Sequence, residues 1–285
     1  MAKPKIAVQM IVFGDEVKNS GYNKVLNWIK KKGVNFIELS KVPVNHETMP
    51  EIEKLCTDLP LGVCAMNVNL ESGIKGELNL ADNFDELVSF GHRLKCEYFR
   101  IGMMPSWVFG KEDAHFRLAT MMDNVGKRLL EKGIHFYYHH HEIEFQKYPG
   151  GKYGLEILLE NTDPKHLGIE LDTHWLQFGG QNPVAWIRRL KGRADLVHLK
   201  DYRIIMPPEG VSGEVTNPRE NRKKIVQFAE IGTGNLDMKE IIKVCVETGV
   251  KFLPIEQDTP YQLSSYESMG ISIDTLKAMG FEDLF

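Results

Sequence analysis

A TIM (β/α)8 barrel is the fold that the sequence predicts, on three observations. Short apolar runs of strand length alternate with stretches whose apolar residues recur at helical spacing, giving eight pairs with no break in composition. Strands separated by helices pair in parallel through right-handed crossovers. The length of 285 residues suits one barrel domain spanning 1–285. A doubly wound open sheet is the rival, but no Gly-x-Gly-x-x-Gly follows the first strand.

The first strand is the near-continuous apolar run 5–13 (KIAVQMIVF). Val25, Leu26 and Ile29 give helical spacing over 22–32, with Gly33 placed to cap the helix end. Residues 34–40 (VNFIELS) form the second strand, with Glu38 near its end; 47–58 is helical and 61–68 (LGVCAMNV) is the third strand. Leu80, Phe84, Leu87, Val88 and Leu94 line one stripe of a helix over 79–94. The fourth strand, 97–103, precedes a loop with Pro105 and Trp107, then a long helix over 113–132 that stops at Gly133.

The fifth strand lies within 133–145 (GIHFYYHHHEIEF), where an aromatic run leads into His139, His140, His141, Glu142 and Glu144. A helix over 153–161, a strand over 166–172 (HLGIELD), a helix over 183–190 and a strand over 195–200 (DLVHLK) follow. A helix over 238–248 capped by Gly249, the eighth strand 250–257 (VKFLPIEQ) and a closing helix over 261–279 complete the barrel. The longest irregular stretch, 202–235, follows strand seven. It carries Pro207, Pro208, Gly210 and Gly213 and the run Arg219, Glu220, Asn221, Arg222, Lys223, Lys224. A loop of this length reads as a lid or binding loop, and the charge run as a solvated face.

Composition excludes several classes. Hydrophobic content of 42% and charged content of 26% belong to a soluble globular protein, here expected in the cytoplasm. A net charge of −4 offers no general attraction to nucleic acid or anionic membrane. The start, MAKPKIAVQM, lacks the apolar run of a signal peptide, and no segment reaches membrane-spanning length. Cys56, Cys64, Cys96 and Cys245 have no Cys-x-x-Cys spacing, so neither a zinc knuckle nor a disulfide framework is expected.

In a TIM barrel the working residues lie at the C-terminal ends of the strands, so those ends read as one ring. Strand two offers Glu38; strand five His139 and His141, which share a face while His140 points away; strand six Asp172 and His174. Strand seven offers His198 and Lys200, and strand eight Glu256 and Asp258. Imidazoles and carboxylates converging from adjacent strands are what one divalent ion needs: Mn²⁺, Co²⁺, Fe²⁺, Zn²⁺ or Mg²⁺, with no thiolate to bias the choice.

The segments 137–145 (YYHHHEIEF), 160–175 (ENTDPKHLGIELDTHW), 192–201 (GRADLVHLKD), 230–242 (EIGTGNLDMKEII) and 255–258 (IEQD) resemble the xylose-isomerase-like TIM-barrel superfamily of sugar-phosphate isomerases and epimerases. Their Tyr-His-His-His, Asn-Thr-Asp-Pro-Lys, Asp-Thr and Glu-Gln-Asp elements look like the inosose dehydratase branch, and like a related group with a Tyr-His-Asn-His-Asp-Phe-Glu-Phe motif. The resemblance implies one divalent metal bound by Asp172, His198 and Glu256 plus a strand-five ligand. Family epimerases usually carry glutamate where this chain has His139, so either His139 replaces it or Glu142 or Glu144 reaches back.

The implied activity is isomerisation or epimerisation of a small polyhydroxylated carbonyl compound through an enediolate. Dehydration or lyase chemistry on an inosose or 3-keto sugar is the alternative from the same intermediate. His141 is the expected general base or acid, and Glu256 a second catalytic group. Lys200 would bind a phosphate, carboxylate or developing oxyanion, or else pair with Asp201. Glu38, Glu144, His174 and Trp107 are the expected substrate contacts, with packing roles the competing reading for His174 and Trp107 and a satisfied barrel-interior carboxylate for Glu38. Homo-oligomerisation fits the family. A nuclease like endonuclease IV shares the barrel and the Asp, His and Glu positions, but the first four strands end without histidine. A non-catalytic sugar-binding barrel is the third possibility.

Overall fold

The computed structural model describes residues 2–71, 77–205 and 225–285. Eight parallel strands form the barrel: β1 (Lys5–Gln9), β2 (Phe36–Leu39), β3 (Gly62–Asn67), β4 (Tyr98–Ile101), β5 (His135–His139), β6 (Gly168–Asp172), β7 (Val197–His198) and β10 (Phe252–Ile255). Their order is β10-β1-β2-β3-β4-β5-β6-β7, and the bridges Leu196–Phe252 and Leu199–Ile255 close β7 onto β10. The predicted TIM barrel is therefore the observed fold.

The alternation of side chains along each strand decides what fills the barrel. At its N-terminal end the inward residues are apolar: Ala7, Cys64, Ala65, Tyr98, Tyr137 and Leu196 cluster there with Phe36 and Phe252 against them. Two residues further along, the same inward face of these strands carries Gln9, Glu38, Arg100, His139 and His198, all at most 3% exposed. Period-two geometry thus turns an apolar plug into a charged layer within one step of the pleat. The outward residues pack beneath the helices in a second, larger core. Cys64, Cys96 and Cys245 are buried and unpaired, as expected. Among the described residues no helix is long and apolar enough to cross a membrane.

The strands are shorter than the apolar runs suggest. Strand one stops at Gln9, whose side-chain Oε1 accepts the Ile11 amide at 2.6 Å and turns Met10–Phe13 into a 3₁₀ turn leading to the helix Gly14–Ser20. Strand five stops at His139, so His141 stands just outside it, at the head of the 3₁₀ turn Glu142–Phe145. The ends of the stretch 202–235 are not irregular: β8 (Asp201–Ile204) and β9 (Val226–Ala229) pair as an antiparallel ribbon. Pro207, Pro208, Gly210, Gly213 and the basic run 219–224 lie outside the described residues. The expected stops at Gly33, Gly133 and Gly249 adopt φ of 84°, 75° and 83°, a conformation that glycine reaches without strain.

Candidate functional site

At the C-terminal mouth, four strands deliver His139, Asp172, His198 and Glu256 to one place. One ligand atom from each lies within 4.8 Å of the others, and all four residues are buried. Asp172 is divided between two tasks. Its Oδ1 accepts the Trp175 amide at 2.8 Å, capping the helix Thr173–Phe178, while its Oδ2 is buried with no hydrogen-bond partner. A buried carboxylate oxygen without a partner is costly, and a cation among these donors relieves that cost, so the residues fit a divalent ion. Burial pushes the Asp172 carboxyl well above its ordinary range, opposed by Lys200 and His198 and reinforced by Glu256. Burial also acts to raise Glu256, but Lys200 and His198 outweigh it and hold that group well below the carboxylate range.

His198 links two layers. Its Nδ1 meets Glu256 Oε2 at 2.5 Å, and its Nε2 meets Glu38 Oε2 at 2.9 Å and Glu170 Oε1 at 3.1 Å. Burial alone would keep this imidazole neutral, but Glu170, Glu38 and Glu256 together draw its pKa well above the ordinary value. Beneath it Arg100, 3% exposed, donates to Glu38 Oε1 at 2.9 and 2.6 Å and to Ser40 Oγ at 2.7 Å, with Glu170 Oε2 3.1 Å from its Nε. The guanidinium supplies the positive charge that these two carboxylates require.

His139 and His141 come together as expected, with ring centroids 4.9 Å apart, although the strand ends at His139 and its pleat does not reach His141. His140 turns instead to the neighbouring strand, where its Nε2 accepts the Asp172 amide at 3.1 Å. The His141 Nδ1 is buried without a partner, and burial assisted by Lys200 lowers its pKa to about 3, so the ring is neutral. Lys200 is 1% exposed and pairs with Asp258 Oδ2 at 2.6 Å and Glu256 Oε1 at 3.2 Å, not with Asp201. Asp201 is spent on the loop that follows, accepting the amides of Gly232, Gly234 and Leu236.

Three expected substrate contacts are engaged by other side chains or backbone of the protein. Glu38 is fully buried, with both oxygens taken by Arg100 and His198, so it supports the layer beneath the mouth. Glu144 accepts the Tyr138 hydroxyl and, at 2.7 Å, the His141 amide, because the chain leaves the strand at His139 and the pleat no longer aims Glu144 inward. It fixes His141 rather than meeting a ligand or reaching the cluster, and Glu142 is likewise outside the cluster. Trp107 is held by Glu71 Oε1 at 2.6 Å and stacks under Arg117. His174, by contrast, lines a cleft with Trp175, Phe178 and Phe228.

Sequence reasoning passed over Gln9, Arg100 and Glu170. Glu170 was detectable, since it shares a strand face with Asp172 two residues on. Gln9 donates to Glu256 Oε1 at 3.2 Å from inside an apolar run, and nothing in the run marks it.

A family model described as xylose isomerase-like TIM barrel matches residues 26–267. The chain is 32% identical over 149 residues to an inosose dehydratase of Clostridium botulinum, covering 50% of this chain and 47% of that protein. It is 35% identical over 92 residues to an inosose dehydratase of Bacillus cereus, covering 32% and 30% respectively. The matches thus span from under a third to about half of these curated relatives' length. A sugar phosphate isomerase/epimerase from Parabacteroides distasonis superposes with a TM-score of 0.71 at 21% identity, over 99% of this chain and 96% of that one. The IolI protein, solved with a zinc atom, gives a TM-score of 0.68 at 15% identity over 99% of both chains.

Proposed function

Because the chain belongs to the xylose isomerase-like TIM-barrel family, we propose that it is a divalent-metal-dependent enzyme that removes a proton beside the carbonyl of a small polyhydroxylated compound. The cluster of His139, Asp172, His198 and Glu256, with Asp172 Oδ2 left unpartnered, carries this reading. A divalent ion held there would polarise the substrate carbonyl and stabilise the negative charge that develops on its oxygen. Zinc is one ion to test, since IolI was solved with it. Imidazole and carboxylate donors also suit Mn²⁺, Co²⁺, Fe²⁺ and Mg²⁺.

The chain's own groups handle the proton. His141, with a free Nδ1 and a ring 4.9 Å from that of His139, is the group we assign to accept it. Lys200 presents a permanent positive charge to an oxygen that gains electrons, held in place by Asp258 and Glu256. Arg100, Glu38 and Glu170 fix the orientation of His198, the usual task of a carboxylate behind a ligating histidine. Returning the proton to the neighbouring carbon isomerises the substrate, and returning it to the opposite face epimerises it.

Dehydration is the second reading, and one observation favours it. His141 and Lys200 border the same ring, Trp175, at 5.3 and 4.9 Å, so a proton acceptor and a cationic donor share one neighbour. That suits loss of a β-hydroxyl better than proton delivery across the substrate, and the curated relatives are inosose dehydratases. Proton NMR in D₂O with metal-loaded protein and a panel of keto-sugars and inososes tests both readings. Deuterium at the carbon beside the carbonyl supports enolisation, and an unsaturated product selects dehydration. Protein that binds no divalent ion and exchanges no substrate proton would overturn the assignment.

A further inference from the structure

One cavity takes no part in the proton transfer. Among the described residues it is walled by His174, Trp175, Phe178, Phe228 and Tyr261 and encloses about 520 Å³, the size of a small-molecule pocket. Two of its aromatic side chains remain half open, Phe178 at 54% and Tyr261 at 42%. Its polar complement is small: Glu142 and Gln227 line it, and the buried His174 Nδ1 and Trp175 Nε1 lack partners. His174 itself is only 3% exposed, so an unpaired nitrogen there is a cost that a ligand oxygen relieves.

The buried Lys200 lies between the cleft and the cluster. The Lys200 ammonium sits 4.9 Å from the Trp175 ring centre and 4.7 Å from that of Phe228, and its nitrogen is 3.2 Å from Glu256 Oε1. Two rings of the cleft wall and one carboxylate of the cluster therefore share a single ammonium as their neighbour. We propose that this cleft is a subsite for a planar aromatic substituent carried by the substrate, so that aryl glycosides bearing a ring ketone are preferred over bare keto-sugars. The inference rests on the cluster being the reacting centre. A sugar ring would demand more hydrogen-bond partners than this wall supplies, whereas a flat ring with one or two oxygens matches aromatic faces and two unpaired nitrogens.

Calorimetry on metal-loaded protein with 4-nitrophenyl and methyl β-glycosides of 3-keto-glucose, 3-keto-galactose and 3-keto-xylose, with proton NMR in D₂O on the same compounds, is the test. At least one aryl glycoside should bind about tenfold tighter than its methyl counterpart. Phe178→Ala and Phe228→Ala should weaken the aryl compound about five- to tenfold, leaving methyl glycoside binding and metal content unchanged. If Phe228→Ala does not fold, Phe178→Ala, altered at a half-exposed position, carries the test. Equal affinities, no aryl binding in any pair, or an unaltered preference in Phe178→Ala would overturn the subsite. An oligomer that dissociates in Phe178→Ala while the ligand preference persists would reassign the cleft to a subunit contact. Tight aryl binding without metal or proton exchange would instead sink the proposed chemistry and spare the subsite.

Discussion

Asp172 shows how one carboxyl group couples local structure to the mouth of the barrel, since one oxygen starts a helix and the other faces the cluster. Asp172→Asn keeps a cap acceptor but removes the charge, so metal content measured by mass spectrometry should fall about 10- to 100-fold at limiting ion while the fold persists. His141→Ala should retain stoichiometric metal and lose turnover by about 10²- to 10⁴-fold. A His141→Ala variant with unaltered kcat would remove that residue from the chemistry. Glu144 gives a pH prediction. Burial raises its pKa from 4.5 to about 7, against the hydrogen bonds from Tyr138 and His141. Between those values the folded state keeps a proton that the unfolded state has released. The resulting stability is complete below pH 4.5 and lost as pH rises through 7, by roughly 3 kcal/mol. Urea unfolding of wild type and Glu144→Gln at pH 5 and 8 checks it: the difference between them should move against wild type by about that amount. The imidazoles and carboxylates of the site were legible because strand ends expose ligand-type residues at period two. Arg100 was not, because a lone basic residue within Tyr98–Ile101 declares its inward direction only once the barrel closes.

Among the elements, the long helix Glu112–Leu130 shows how close packing constrains a single position. Gly126 lies against the backbone of the loop leading into β6, where an added Cβ would come within 1.9 Å of the His166 carbonyl oxygen. Gly126→Ala should therefore lower unfolding stability by about 1–3 kcal/mol, read as a reduced urea midpoint at unchanged slope. An unchanged midpoint would mean that the loop yields freely. Helix stops were readable from glycine, because a positive φ has a residue signature. Strand ends were not: 5–13 is almost continuously apolar, yet Gln9 bends it by bonding to the backbone two residues on, a local choice that hydropathy does not encode. The same limit let the alternation be carried past His139 to Glu144, where no strand continues. The ribbon Asp201–Ile204 with Val226–Ala229 escaped notice because its pairing partner lies across a long Pro- and Gly-containing insertion.

For the whole molecule, the ligands come from four different strands, so binding an ion to the folded form alone must stabilise the barrel. Stripping metal with EDTA should lower Tm by about 5 °C, with recovery on adding Mn²⁺ or Zn²⁺ at about a hundredfold excess over Kd. A Tm indifferent to both treatments would argue against a resident ion. The barrel is not equally strong around its girth. β7 contributes two residues, pairing with β6 over two positions and joining β10 through two isolated bridges, whereas β1 and β10 pair over four. His198 and Glu256 stand on opposite sides of that seam. A cation gripped by both would act as a rivet through a thin joint of the cask. Without it, the amides of Leu199 and Glu256, which stitch this joint, should be the first in the wall to exchange with deuterated solvent.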